Sequence, residues 1–303
     1  GCRTIRLEQN YRSTSHILDA ANAVIRNNQG RKGKELWTDK GSGDPVNLYV
    51  ADNESDEAQY VAARIMENYS QGRSWKDHAI LYRMNAQSNQ IEQAFKRSGV
   101  PYRIIGGTRF FDRAEVKDML AYLWVINNRA DDLRLKRIIN QPPRGIGAKT
   151  VETIERLCTA ASMPLYSVVS DAYNYPALER SAQKLLAFTV LIEECAELLD
   201  TLTLADFYEE LLIRTGYVAM LEQKDDVENR ARLENVRELK SSIVTYMENT
   251  EEPSLGGFLE EIALYTDIEQ YDKDADAVVM MTMHSAKGLE FPNVYIVGCE
   301  EGL

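Results

Sequence analysis

The period of the apolar residues changes twice along this chain, and that double change restricts its fold more than any other feature. Before Gly106, β-branched apolar runs at residues 46–50, 79–82 and 102–105 alternate with helical spacing at 55–69 and 89–98. Alternating strand and helix predicts a parallel sheet wrapped by helices. Beyond Gly106-Gly107 the spacing turns helical, starting with Val116, Met119, Leu120 and Leu123 on one face and continuing through Leu185, Ile192, Phe207, Leu211, Val236 and Ile243. After an acidic stretch at 267–276 the β pattern returns: Val278-Val279-Met280-Met281 and Val294-Tyr295-Ile296-Val297 read as buried parallel strands. The expectation is an α/β domain made of residues 1–111 and 271–303, interrupted by an all-α domain at 112–270. At the N-terminal end, Ser13, Thr14 and Ser15 offer capping hydroxyls to a helix carrying Ile17, Leu18, Ala21, Val24 and Ile25, which Asn27-Asn28-Gln29-Gly30 stops.

A chain of 303 residues with 44% hydrophobic content can fill two cores. No apolar stretch approaches the roughly 18 residues of a membrane span. The first residues, Gly1-Cys2-Arg3-Thr4-Ile5-Arg6, lack a signal-peptide core, so a cytoplasmic protein with no membrane partner is expected. Cys2, Cys158, Cys195 and Cys299 lie far apart, without a Cys-x-x-Cys pair and with only His16, His78 and His284 beside them. They read as buried or incidental thiols, with no metal site. A net charge of -12 argues against wholesale coating of nucleic acid. Yet Arg134, Lys136, Arg137, Arg144 and Lys149 fall in one stretch, 133–150, that has no acidic residue. Such an island is either a localised phosphate-binding face or a solvated helix face.

Three segments carry the candidate chemistry. Thr282-Met283-His284-Ser285-Ala286-Lys287-Gly288-Leu289-Glu290-Phe291-Pro292-Asn293-Val294 joins the last two apolar runs through a polar turn at a strand's carboxyl end, where open α/β sheets bind ligands. Thr282, His284, Lys287 and Glu290 are therefore candidate contacts to nucleotide or nucleic acid. Gly288 lets the backbone turn back at positive φ, and Pro292 ends the local structure. Arg83 and Asn85 follow the strand at 79–82, again at a carboxyl end, where they either hold a ligand or cap the helix that follows. In Pro142-Pro143-Arg144-Gly145-Ile146-Gly147-Ala148-Lys149-Thr150, the glycines and Lys-Thr invite a phosphate-loop reading. It fails, because Ala148 separates Gly147 from Lys149 and helices precede the turn. A Gly-Ile-Gly turn between helices fits instead. Gly145, Ile146 and Gly147 let duplex phosphates approach backbone N–H groups at the next helix's start, with Arg144, Lys149 and Thr150 beside them. A plain helix–helix turn is the alternative.

The run TMHSAKGLEFPNV resembles a motif of the UvrD/PcrA/Rep group of superfamily 1 DNA helicases, as does Leu7-Glu8-Gln9-Asn10-Tyr11-Arg12-Ser13-Thr14 near the other end. Leu81-Tyr82-Arg83-Met84-Asn85-Ala86-Gln87-Ser88 and Arg144-Gly145-Ile146-Gly147 are similar to the same family, so the resemblance covers essentially the whole chain. It implies a RecA-like second motor domain of the P-loop NTPase type, without the Walker loop and interrupted by an all-α insertion with a helix-hairpin-helix-like turn. By the same resemblance, Tyr11 stacks on the adenine of ATP, and Arg12 reaches its terminal phosphate in a catalytic role. Glu290, helped by Gly288, meets the ribose; Gln9 and Asn10 shape the turn. Arg83, Asn85, Thr282 and His284 hold single-stranded DNA, and Lys287 is either a phosphate contact or a solvated turn residue.

The implied cofactor is ATP with Mg2+. The Walker lysine, metal ligands and general base are expected outside this chain, so that alone it should not hydrolyse ATP. The implied partners are single-stranded DNA, single-strand/duplex junctions, a first motor domain and repair proteins docking on the helical region. The implied parent is an ATP-dependent 3′–5′ DNA helicase of repair and replication. The competing expectation is a regulatory duplex-binding or protein-docking module of a helicase or helicase-nuclease.

Overall fold

The computed structural model describes residues 8–27, 35–266 and 276–300, the side chains of 264–266 excepted. Gly1 to Leu7, the Asn28-Gln29-Gly30 part of the expected helix stop, and residues 267–275 of the acidic stretch lie outside the described residues. The chain divides into two compact units, residues 1–51 and 52–303.

In the first unit, α1 (Ser15–Arg26) starts after Thr14 and ends at Asn27. Its buried Asn22 substitutes for a backbone partner: Asn22 Nδ2 donates to Leu36 O (2.9 Å), and Leu36 N donates back to Asn22 Oδ1 (3.2 Å). The expected strand at 46–50 is not formed. This segment joins no ladder among the described residues, and Val46, Leu48 and Val50 are exposed by 61%, 88% and 81%. The reason is physical: a β-branched run fits a pleated surface only where a neighbouring strand supplies the pairing, and composition does not reveal the neighbour.

The second unit contains α2 (Glu54–Ser70), β1 (His78–Tyr82), α3 (Ser88–Ser98) and β2 (Tyr102–Ile105). A helical series follows: α4 (Ala114–Asn127), α5 (Asp132–Ile138), α6 (Ala148–Ala161), α7 (Leu165–Ser170), α8 (Ala182–Glu197), α9 (Leu204–Arg214), α10 (Tyr217–Glu222), α11 (Val227–Glu248) and α12 (Leu255–Thr266). Then β3 (Val278–Thr282) and β4 (Asn293–Ile296) close the sheet in the order β2-β3-β1-β4, with every pairing parallel. Val278 to Met281 are buried throughout, as an interior parallel strand covered on both faces requires. The run at 294–297, also expected to be buried, instead forms an edge strand with Val294 and Ile296 exposed, because only one side of it has a neighbouring strand among the described residues.

Two apolar clusters form within this unit. In one, Ile80, Tyr82, Val278 and Met280 pack against Val61 and Ile65 of α2 and Ile91 and Phe95 of α3. Each such fully buried side chain contributes about 1.5–3 kcal/mol. The other is helical and centred on α4, whose Val116, Met119, Tyr122, Leu123 and Val125 are completely enclosed. A helix apolar on nearly all sides must be surrounded by others. Where the two clusters meet, the joint is polar. Asn89 Nδ2 on α3 donates to Ser242 Oγ (3.0 Å) and Glu238 Oε1 (2.9 Å) on α11, and Gln93 Nε2 donates to Ser242 Oγ (3.0 Å). No helix among the described residues is long and apolar enough to cross a membrane. Cys158 and Cys195 are buried free thiols, and Cys299 is an exposed one.

Candidate functional site: the carboxyl edge of the sheet

Strand register brings two of the singled-out segments together. Tyr82 pairs with Thr282, and Met283 N donates to Tyr82 O (2.9 Å), so the chain leaves β1 and β3 side by side. Arg83 and Asn85 on one loop thus neighbour His284 on the other. A third loop reaches the same place. A Cβ on Gly106 (φ +74) would come within 2.9 Å of Ser285 Oγ, and one on Gly107 within 3.6 Å of Asn85 Oδ1.

The loop after β1 is braced from within. Gln87 Oε1 accepts hydrogen bonds from Arg83 N and Met84 N, both at 3.0 Å, which pins the backbone around Arg83. Space for that brace comes from Gly298 just after β4, at φ +64, where a Cβ would fall 2.0 Å from Gln87 Nε2. Strand alternation does not continue to Asn85: a single 3-10 turn, Asn85–Gln87, intervenes, leaving Arg83 exposed and Asn85 half-buried.

Thr282 is used differently from a plain ligand contact. Its Oγ1 accepts from Ser285 N (3.3 Å) and lies 3.0 Å from Ser285 Oγ, capping the turn that follows. Beyond it His284, Lys287, Gly288 and Glu290 are exposed, and Gly288 takes φ +92, the left-handed conformation its place in the turn requires.

In the first unit, Asn10 Oδ1 accepts from Arg12 N (2.9 Å) and Ser13 N (2.8 Å), folding the chain tightly before α1. Tyr11 OH donates to Gln9 Oε1 (2.8 Å) while its ring stays 74% exposed, so the phenol is fixed and the aromatic face remains open. Arg12 is exposed, and its carbonyl accepts from Lys40 Nζ (3.1 Å).

At the Gly-Ile-Gly turn, Asn140 Oδ1 accepts from Arg144 N (2.8 Å) and Ile146 N (3.0 Å), and Ile146 is buried as the apolar peg of the turn. Gly147 caps α6, whose first amides have no intrahelical acceptor. Thr150 Oγ1 lies 3.2 Å from Ser181 Oγ, at the start of α8, and Lys184 Nζ donates to Gly145 O (3.2 Å). Ser181 and Lys184 thus belong to this turn, although nothing in their spacing announced it.

The positive island, by contrast, is largely neutralised. Arg134 pairs with Asp131, Lys136 with Glu155 (2.8 Å) and Arg137 with Asp118 (2.7 Å). Arg144 points inward. Its guanidinium donates to Ile138 O (3.0 Å), Pro142 O (3.2 Å), Thr215 O (3.3 Å) and Tyr122 OH (2.6 Å), and sits over the Phe188 ring. Only Lys149 of the five is exposed without meeting a carboxylate among the described residues.

Parallel strands in this order, with helices on the sheet and polar loops at its carboxyl edge, make an α/β domain of the RecA-like type. The sequence profile of the UvrD-like helicase C-terminal domain matches residues 5–303, and the chain belongs to that family. Among curated relatives, the ATP-dependent DNA helicase PcrA of Staphylococcus epidermidis is 43% identical over 303 residues, 99% of this chain. The protein of the same name from Staphylococcus aureus is 44% identical over 302 residues, also 99% of this chain. The chain spans 41% of the length of each of these relatives.

Proposed function

We propose that this chain is the second motor domain, with its inserted helical domain at 112–270, of a cytoplasmic ATP-dependent DNA helicase acting in repair and replication. The carrying observation is the hydrogen bond from Met283 N to Tyr82 O, which makes the Arg83–Asn85 and His284 loops neighbours at the sheet's carboxyl edge. There, Arg83, Asn85, His284 and Lys287 hold the backbone of single-stranded DNA, a contact that positions the strand without reading sequence, and Thr282 shapes the turn that presents His284. Movement from 3′ to 5′ follows from the family resemblance.

ATP suits the residues present on their own chemistry, with the ligands of its Mg2+ expected outside this chain. The open face of Tyr11, its hydroxyl already tied to Gln9, suits stacking on a base. Arg12 suits paired hydrogen bonds to phosphoryl oxygens, and Glu290, turned by Gly288, suits a ribose hydroxyl. Bound ATP supplies the free energy that alternates strong and weak grip. The chain's own part is to hold the strand through groups whose geometry the sheet sets.

The Gly-Ile-Gly turn is the proposed duplex contact, through the amides at the start of α6 with Gly145, Gly147, Lys149 and Thr150. Ile146 and Arg144 act there as internal supports. A second reading, protein docking on the helical region, is favoured by one observation: Arg134, Lys136 and Arg137 are already paired with carboxylates.

The test of the strand contact is fluorescence anisotropy of a labelled oligo-dT with the 303-residue chain. Arg83→Ala and Asn85→Ala should each weaken binding about tenfold, and Arg83→Ala should also lower the salt slope by about 0.7. Affinities equal to that of the unaltered chain would overturn the assignment.

A further inference from the structure

Arg113 is almost wholly buried, close enough to the buried Glu92 carboxyl for the two charges to interact. Its guanidinium forks. Nη2 donates to Asn85 O (2.9 Å) and Ser88 Oγ (2.8 Å), on the loop and helix that follow β1. Nη1 donates to Asn235 Oδ1 (2.7 Å) on α11, and Asn235 Nδ2 donates in turn to Glu115 Oε1 (2.6 Å) on α4. The same α11 packs directly against the Asn85–Gln87 turn. Glu92 completes the arrangement from below, accepting from Ser88 Oγ (2.7 Å) and Phe110 N (3.1 Å). Burial raises the Glu92 carboxyl above its ordinary range, while Ser88 and the Arg113 charge hold it down.

A guanidinium is planar and its donors are fixed relative to one another. With Nη2 on the strand-holding turn, Nη1 on the helical region and Nε donating to Thr108 O (3.3 Å) as the pivot between them, a displacement of α11 rotates the fork and moves the Asn85 carbonyl with it. A lysine ammonium cannot span both partners in that geometry.

The geometry points to Arg113 as a positioning residue that transmits the placement of α11, through Asn235, to the Asn85–Gln87 turn. What the helical region does then sets how that turn grips single-stranded DNA. The inference rests on the proposed strand contact at Asn85 and deepens it by giving the contact a mechanical input.

Two readouts on the 303-residue chain test it. In Asn235→Ala, amide hydrogen exchange should lose protection about tenfold in peptides spanning 85–91 and not in the rest of the sheet. The affinity for oligo-dT should fall about tenfold alongside, the share of one charge-assisted hydrogen bond. Arg113→Lys, which keeps the charge, should behave in the same way and serves if Asn235→Ala does not fold. Unchanged protection at 85–91 in a folded variant overturns the relay, as does protection lost evenly across the whole sheet. If Arg83→Ala and Asn85→Ala leave oligo-dT affinity unmoved, the strand-binding reading fails, and the exchange result still decides the coupling of α11 to the turn.

Discussion

Replacing Arg144 by methionine separates a structural cation from one that touches DNA. Methionine fills most of the aliphatic volume but removes four donated hydrogen bonds, to Ile138 O, Pro142 O, Thr215 O and Tyr122 OH. It also removes the charge over the Phe188 ring, 5.4 Å from its centroid. Hydrogen bonds to charged groups are worth about 1.5–3 kcal/mol each, and two of these four are longer than 3.1 Å, so a net loss of about 3 kcal/mol is reasonable. For a cooperative unit of this size that lowers the melting temperature by roughly 6–12 °C. The assay is thermal unfolding by circular dichroism, run beside a salt titration of duplex affinity. A melting temperature that does not move, together with a duplex salt slope lower by about 1, would refute the inward assignment and return Arg144 to the DNA surface.

Lys149→Ala combined with Lys184→Ala should reduce the salt slope of duplex binding by about 2 while leaving the melting temperature unchanged; an unmoved slope favours protein docking at this turn. Gly298→Ala should drive a methyl into the Gln87 amide, release Arg83 N and Met84 N, and lower stability by about 1–3 kcal/mol and oligo-dT affinity together. Unaltered stability and affinity would show that Gln87 is not a brace. Glu238, on α11, faces Asn89, Ser241, Glu54 and Arg113, and burial raises its carboxyl from 4.5 to about 7. The folded state therefore prefers the protonated form. Its contribution is complete below pH 4.5 and is lost as pH rises through about 7, at most about 3 kcal/mol and less because the group is part-exposed. Glu238→Gln should gain stability over the parent between pH 5 and 8 in urea unfolding, and a pH-independent difference would contradict this.

The strands at 79–82 and 278–281 were legible because each is apolar and buried as its composition implies, and the half-buried strand at 102–105 was legible from Ile104-Ile105 and the Gly106-Gly107 turn that follows. The positive φ at Gly288 was legible for a similar local reason. What failed or stayed hidden depends on remote partners. The run at 46–50 has strand composition without a paired neighbour among the described residues. Three of the island's five cations pair with Asp118, Asp131 and Glu155, which lie outside its own stretch of sequence. Lys184 and the Arg113–Asn235 contact join segments far apart in the chain, and one sequence read for local spacing carries no signal of either.

The most direct measurement is photocrosslinking of an oligo-dT carrying 4-thiothymidine to the 303-residue chain, followed by peptide mapping. Adducts should concentrate in residues 82–88 and 282–288 and be reduced by Arg83→Ala and by excess unlabelled oligo-dT. Adducts confined to the opposite edge of the sheet, around Asp77 and Asn293, or absent from both loops, would contradict the proposed strand contact.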